Sequence, residues 1–187
     1  MTPPTSVRED VRPGTAQAPC LQRGVITMIA GTGRGPTTMA AFDAALIATG
    51  VANFNLIRLS SVIPPATEIR PIEVPVVPPG EWGDRLYVVM AESRTETLGA
   101  EVWAGIGWVQ DSRSGKGLFV EHEGHHERQV RSDISASLTA MCKGRSVGFG
   151  AQRSYVHGAI CDGEPVCALV VAVYESQGWS RPPLDLG

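Results

Sequence analysis

The stretch NLIRLSSVIPP, residues 55–65, joins an apolar run, a pair of serines and a Pro-Pro bend. The apolar run predicts a buried strand, but serines are weak strand formers and a buried hydroxyl needs a hydrogen-bond partner. One interpretation is a strand that ends in an ordinary polar turn. The other is that the bend at Pro64 and Pro65 fixes the backbone so that the Ser61 hydroxyl lies against the Ser60 carbonyl.

The second arrangement would let the chain cut itself. The Ser61 hydroxyl attacks the Ser60 carbonyl to form an ester, β-elimination breaks the chain, and loss of ammonia leaves a pyruvoyl group in place of Ser61. Holding the reacting atoms in position supplies much of the rate in such intramolecular reactions.

The sequence before this stretch predicts alternating strands and a helix. The predicted elements are a strand over residues 21–30, a glycine-rich turn GTGRGP at residues 31–36, a helix over residues 37–49 and a strand over residues 51–62. Thr37 or Thr38 can cap the start of the helix, and Gly50 suits its end.

The sequence after the stretch begins with a segment rich in proline, over residues 64–80, where we expect no regular structure. The elements expected beyond it are a strand over residues 86–91, a helix over 95–109, a strand over 117–122, a helix over 126–143 and a hairpin of strands over 155–160 and 166–174. Since VCALVVAVY, residues 166–174, is apolar on both faces, it predicts a central strand covered on each side. Three amphipathic helices and mixed strands predict an α+β fold with sheets covered by helices.

Composition and charge narrow the functional classes. The chain has 187 residues and a formal net charge of −3, which argues against binding to nucleic acid. No apolar run approaches the roughly 18–20 residues of a membrane-spanning helix. We expect residues 1–20, which lack the apolar core of a signal peptide, to form a flexible tail before a single domain over residues 21–187. The four cysteines form no CxxC pair, so we expect free thiols in a cytoplasmic protein.

The stretch over residues 55–65 resembles the processing site of the pyruvoyl-dependent arginine decarboxylases. AFDAALIATGVANF, residues 41–54, resembles the helix upstream of that site, and GLFVEHEG, residues 117–124, resembles a further block of the family. The resemblance implies a four-layer αββα sandwich that assembles as an (αβ)3 trimer or a larger oligomer, with active sites between subunits. It also implies that L-arginine is converted to agmatine and carbon dioxide through a Schiff base to a covalent pyruvoyl group, without PLP or a metal.

The resemblance assigns roles to five residues. Ser60 becomes the end of a β chain, residues 1–60, and Ser61 becomes the pyruvoyl group that begins an α chain, residues 61–187. Asn55 corresponds to an asparagine near the processing site, Asp43 to the acid that pairs with the guanidinium of arginine, and Glu121 to the acid that protonates the product. These roles suit the chemistry, because carboxylates form two-pronged pairs with guanidinium groups and a carboxyl group must return a proton after carbon dioxide leaves. Without the resemblance, Asp43 is equally consistent with a solvated helix residue, and the sequence favours a surface glutamate at the end of a strand for Glu121.

Several alternatives stay open. Arg34 lies in the glycine-rich segment, and a cation lining the pocket would favour a substrate other than arginine. A homologue that does not process itself would be a structural or regulatory subunit. His122 to His126 matches the H-E-x-x-H pattern of zinc hydrolases, but we expect it to span a strand-to-helix turn that would not hold the metal. Gly31, Gly33 and Gly35 lack the spacing of a nucleotide-binding loop, and we expect a turn that needs small residues.

Overall fold

The structure is a computed structural model that describes residues 24–179, so the predicted tail and Cys20 lie outside the described residues. These residues form two helices and nine strands. In chain order they are β1 (Gly24–Arg34), α1 (Thr38–Thr49), β2 (Asn55–Arg58), β3 (Val62–Ile63), β4 (Thr67–Pro71), β5 (Arg85–Thr95), β6 (Glu101–Gln110), β7 (Gly117–Gly124), α2 (Glu127–Lys143), β8 (Arg153–Ile160) and β9 (Val166–Gln177).

The strands form two sheets that pack face to face. Sheet A has the order β2-β5-β9-β1-β4, and sheet B has the order β3-β7-β6-β8. Helix α1 covers the outer face of sheet A and helix α2 covers that of sheet B. An apolar core that includes Met28, Ile106, Phe119 and Val170 fills the space between the sheets. The layers are therefore helix, sheet, sheet, helix, which confirms the predicted αββα sandwich.

Strand β9 lies at the centre of sheet A, as its apolar sequence predicts. It pairs antiparallel with β1 on one side and with β5 on the other. Its residues from Val166 to Ala172 are all buried, since one face meets sheet B and the other meets helix α1. This strand carries the greatest share of the core on both faces of its sheet.

The two helices lie where the sequence predicts them. The Thr37 side chain accepts a hydrogen bond from the Ala40 amide at 3.1 Å, and Gly50 has a left-handed φ of 77°. Helix α2 buries Val130, Ile134 and Leu138 against sheet B. Local capping and an apolar stripe were therefore sufficient signals for these two elements.

The expected turn at residues 31–36 and the expected helix over residues 95–109 are both wrong. Residues 31–34 continue β1, and residues 101–110 form β6. A Cβ atom at Gly33 would lie 2.1 Å from the Ala41 carbonyl oxygen, and one at Gly107 would lie 2.1 Å from Ile134 Cγ2. Glycine therefore occurs in these strands because a helix packs directly over each of them, and the described residues contain two helices rather than three.

Two further expectations fail because of tertiary pairing. Strand β4 forms inside the proline-rich segment and pairs parallel with β1, at the edge of sheet A where a missing amide donor is tolerated. Strands β8 and β9 do not form a hairpin, because β8 belongs to sheet B and β9 to sheet A. The turn after Ile160 carries the chain from one sheet to the other.

Over residues 24–179, neither helix combines the length and the apolar character that crossing a membrane requires.

Candidate active site

The serine pair lies where the chain crosses from one sheet to the other. Strand β2 pairs parallel with β5 at the edge of sheet A, and the Leu59 amide still donates to the Val88 carbonyl at 2.9 Å. Three residues later Val62 pairs with Leu118 in sheet B. The strand expected over residues 51–62 is therefore two short strands, with Ser60 and Ser61 in the crossing between them.

The backbone of Ser61 has an uncommon conformation. Its φ is 66°, in the left-handed region that residues with a side chain rarely adopt. Its carbonyl oxygen accepts a hydrogen bond from the Phe119 amide at 2.8 Å. Ser61 is half-buried, whereas Ser60 is exposed. Such backbone strain concentrates at functional sites, where the surrounding structure holds it in place.

The Ser61 hydroxyl donates a hydrogen bond to the Glu121 carboxylate. Glu121 lies on β7 and shares a face with Phe119, whose ring belongs to the core between the sheets. Leu118 and Val120 point the other way, towards α2. The alternation of β7 therefore directs the half-buried Glu121 side chain at the serine crossing.

A cavity of about 240 Å³ opens beside Glu121. Glu92 lies on its wall, with a carboxylate oxygen 2.6 Å from Arg94 Nη2 and another 3.5 Å from Arg58 Nη2. The Arg94 guanidinium also lies 3.9 Å from the centroid of the Phe42 ring. The cavity is lined by Arg58, Leu59, Val89, Met90, Ala91, Glu92, Glu121 and Glu123. The cavity therefore offers charges of both signs beside Glu121, the residue that accepts the Ser61 hydrogen bond.

Two of the predicted site residues lie apart from Ser61 within one chain. Asp43 is exposed on α1, on the side of sheet A that faces away from Glu121. The Asn55 amide donates to the Gly83 carbonyl, and its backbone amide donates to Asp84 at 2.8 Å. Over residues 24–179 no hydrogen bond joins either side chain to the serine pair. One chain thus brings together Ser61 and Glu121 and leaves Asp43 and Asn55 elsewhere.

The structure also shows the surroundings of Arg34 and of the H-E-x-x-H segment, the bases of two alternative hypotheses from the sequence. Arg34 pairs with Asp162 and donates to the Ile160 carbonyl at 3.0 Å, so its charge is bound to the β8–β9 turn.

The H-E-x-x-H segment spans the end of β7 and the start of α2, as expected, and the His122 ring is 2.8 Å from the Ser137 hydroxyl. Within the described part of the chain, no group of three potential ligands is placed to hold a metal.

The cysteines within the described residues are free thiols, as expected: Cys142, Cys161 and Cys167. Burial, together with the nearby charge of Glu92, raises the pKa of Cys167 to about 11. That thiol therefore stays protonated at neutral pH and is a poor nucleophile, although it lies close to the cavity.

Sequence reasoning missed the groups that hold the backbone around Ser61. The Phe119 amide is a backbone donor and leaves no signal in the sequence. Tyr174 closes the apolar run at residues 166–174 within β9, and its hydroxyl donates to the Val62 carbonyl at 3.1 Å. A tyrosine that closes an apolar run was the available signal, because a buried tyrosine hydroxyl usually finds a partner.

A pyruvoyl group made from Ser61 would fit this environment. The carbonyl of residue 61 is already held by the Phe119 amide, and the cavity beside Glu121 adjoins the position of the side chain. The group requires no pocket of its own, since it would remain part of the chain that β3 anchors to β7.

Comparisons with known proteins show which family the sequence resembles. The sequence profile of the family described as "pyruvoyl-dependent arginine decarboxylase" matches residues 25–177. A protein of Halobacterium salinarum named pyruvoyl-dependent arginine decarboxylase is 44% identical over 158 residues, which are 83% of this chain and 94% of that protein. A protein of the same name from Methanocaldococcus jannaschii is 36% identical over 100 residues, which are 53% of this chain and 58% of that protein's own length.

Proposed function

The chain belongs to the pyruvoyl-dependent arginine decarboxylase family, as residues 55–65 predict, and we propose that it cuts itself between Ser60 and Ser61 and then decarboxylates L-arginine to agmatine. The observation that carries the proposal is the hydrogen bond from the Ser61 hydroxyl to Glu121, made by a serine in a left-handed conformation. Ser61 is thus held beside an acid at the point where the family's reactive group forms.

The cleavage uses the atoms of the serine pair. The Ser61 hydroxyl gives up its proton and attacks the Ser60 carbonyl carbon, and the peptide bond is exchanged for an ester. Loss of the proton on Cα of residue 61 breaks the Cβ–Oγ bond, so that Oγ leaves with Ser60 as a carboxylate oxygen and residue 61 becomes dehydroalanine. Addition of water and loss of ammonia then leave the ketone of the pyruvoyl group. The products are a β chain of residues 1–60 and an α chain of residues 61–187.

The carboxylate of Glu121 is placed for two proton transfers. In the uncut chain it accepts the hydrogen bond of the Ser61 hydroxyl, so it can take that proton as attack begins. In the cut protein it borders the cavity next to residue 61, from which it can return a proton to the product. The pyruvoyl group supplies the ketone that takes the substrate amine and the carbonyl that accepts electrons as carbon dioxide leaves. The Phe119 amide, 2.8 Å from the carbonyl oxygen of residue 61, stabilises negative charge there.

The substrate site requires a second copy of the chain. Asp43 is exposed on α1 and is separated by sheet A from the Ser61 hydroxyl. If a neighbouring subunit presents its Asp43 to the cavity beside Glu121, a carboxylate would face the guanidinium end of arginine. We propose Asn55 as a further residue of this site on the resemblance alone, since its side chain bonds Gly83 of its own chain. From the family resemblance we propose that these copies belong to an (αβ)3 trimer or a multiple of it, working in the cytoplasm, where free thiols persist.

The test is the intact mass of the purified protein under denaturing conditions, followed by carbon dioxide release from labelled L-arginine. Two chains, one ending at Ser60 and one beginning with a pyruvoyl-blocked residue 61, are expected, together with release that depends on arginine. A single full-length chain after prolonged incubation would contradict self-processing. Two chains with release from L-lysine or L-ornithine but not from L-arginine would preserve the mechanism and contradict the substrate.

A further inference from the structure

Strand β9 contains an irregularity next to the serine crossing. Val173 pairs with Val88 of β5, and Glu175 pairs with Tyr87, so Tyr174 is an extra residue with no partner across the ladder. This is a β-bulge, a feature that redirects a side chain and that often lies beside active sites. Tyr174 also lies just past the last residue of β9 that pairs with β1.

The bulge directs the Tyr174 side chain at the segment that follows Ser61. Its hydroxyl donates to the Val62 carbonyl oxygen at 3.1 Å. Its ring packs edge-on against the Phe119 ring, with 6.2 Å between centroids and 69° between planes. Because the Phe119 amide donates to the Ser61 carbonyl, two consecutive carbonyl groups are held by two residues that pack against each other.

The tyrosine hydroxyl stays a donor over the whole useful pH range. Burial, and to a lesser degree the negative charge of Glu121, raise the pKa of Tyr174 well above its ordinary value. The hydroxyl therefore keeps its proton, and can donate to the Val62 carbonyl, beyond the pH at which an ordinary tyrosine loses it.

We propose that Tyr174 is a positioning residue that fixes residues 61 and 62, first for cleavage and then for decarboxylation. The proposal rests on the proposed self-cleavage at Ser60. Before cleavage, the hydrogen bond to Val62 restrains the peptide on the far side of Ser61 and so helps to keep the hydroxyl against the Ser60 carbonyl. After cleavage, residue 61 is a chain end, and β3, which holds it, pairs through Val62 and Ile63 alone. A restraint on Val62 then matters more, because misplacement by about 1 Å can cost about a hundredfold in rate.

The experiment compares Tyr174→Phe with Tyr155→Phe and the unchanged protein. Tyr155 is a matched control, because its hydroxyl also points at a backbone carbonyl, that of Ile72 at 3.5 Å, and its ring also packs on the core between the sheets. Intact mass over time gives the rate of self-cleavage. Turnover of L-arginine is measured after cleavage is complete, and thermal melting by circular dichroism verifies that each protein is folded.

For Tyr174→Phe we expect cleavage to slow by about tenfold and kcat to fall by about tenfold, with KM within about twofold of the unchanged protein. Tyr155→Phe is expected to match the unchanged protein in all three quantities. Equal rates for the two variants, or a change in KM alone, would overturn the role of Tyr174 while leaving self-cleavage intact. An unchanged protein that never cleaves would overturn both proposals.

Discussion

The Ser61 hydroxyl and the Glu121 carboxylate meet in a hydrogen bond although 60 positions of sequence separate them. Ser61 reaches the contact from the edge of sheet A, and Glu121 reaches it from β7 in sheet B. The packing of the two sheets therefore sets the geometry of the contact between Ser61 and Glu121. Substitution of Ser61 should abolish cleavage, whereas substitution of Glu121 should slow both cleavage and turnover.

Ser61→Ala is expected to yield a single uncut chain with no decarboxylase activity, since alanine has no oxygen with which to attack the Ser60 carbonyl. Ser60→Ala is the matched control. The Ser60 side chain is exposed, and the proposed cleavage uses its carbonyl rather than its hydroxyl. Intact mass under denaturing conditions distinguishes the two. Cleavage in Ser61→Ala would contradict the serine chemistry.

Glu121→Gln is expected to preserve the fold and to slow turnover by roughly 10²- to 10⁴-fold, the usual contribution of a general acid. Glutamine keeps the size of the side chain but cannot deliver a proton. We also expect slower self-cleavage, because the amide is a poor acceptor for the Ser61 proton. The measurements are single-turnover release of carbon dioxide and a mass time course, with Glu164→Gln in the exposed β8–β9 turn as the control. Normal turnover in Glu121→Gln would remove this acid from the mechanism.

The parts of the fold that the sequence predicts are those with a local physical cause. Thr37 and Gly50 mark the ends of α1, the stripe of Val130 and Ile134 marks α2, and the apolar run of β9 marks a central strand. The sequence predicts a helix in place of β6 because this strand is buried on both faces, so that apolar and polar residues do not alternate along it.

In the candidate site, too, the sequence predicts the residues of short local segments and misses the contacts that depend on tertiary packing. The serine pair and Glu121 lie in short, distinctive segments, and the sequence predicts both. The β-bulge at Tyr174 and the Phe119 amide depend on how distant strands align, which no local pattern encodes. The expected hairpin of β8 and β9 failed for this reason too, since the choice of sheet is decided by packing.

His157 should make the fold less stable in mild acid. Its Nε2 lies 2.7 Å from the Thr32 hydroxyl, and burial lowers the pKa of its imidazole below the ordinary value. Above a pH of about 6.5 the ring is neutral in both the folded and the unfolded chain, so it has no effect. As the pH falls further, the unfolded chain takes up the proton first, and stability is lost until the pH reaches the lower folded pKa.

The measurement is the melting temperature at a pH of about 7.5 and of about 5.5. His157→Gln, which can still bond Thr32, is expected to lose less stability between these values than the unchanged protein. His125→Gln, an exposed ring that contacts the Glu101 carbonyl, should lose as much as the unchanged protein. An equal loss in His157→Gln would show that this ring does not titrate with folding.

Gly33→Ala is expected to destabilise the protein by about 2–3 kcal/mol, because overpacking costs roughly that much where the neighbour cannot move. The added methyl group would lie 2.1 Å from the Ala41 carbonyl oxygen, a backbone atom of α1. Gly148→Ala is the control, since within residues 24–179 its methyl group would meet no atom closer than 4 Å beyond its chain neighbours. Urea unfolding measures both, and equal stabilities would contradict close packing of α1 on β1.

Asp43→Ala tests whether the substrate site lies between two copies of the chain. The proposed self-cleavage uses Ser61 and Glu121 of one chain, so we expect it to proceed normally in this variant. We expect kcat/KM for L-arginine to fall by about tenfold to a hundredfold, the effect of losing a charged hydrogen bond. Asp133→Asn on α2 is the control, because that acid lies on the opposite outer layer.

Mixing Asp43→Ala with Ser61→Ala subunits before assembly extends the test. In a mixed trimer, an unmutated Asp43 of one subunit can lie beside the pyruvoyl group of another, and we expect such trimers to recover part of the activity. No recovery in verified mixed trimers would place both residues in one subunit's site.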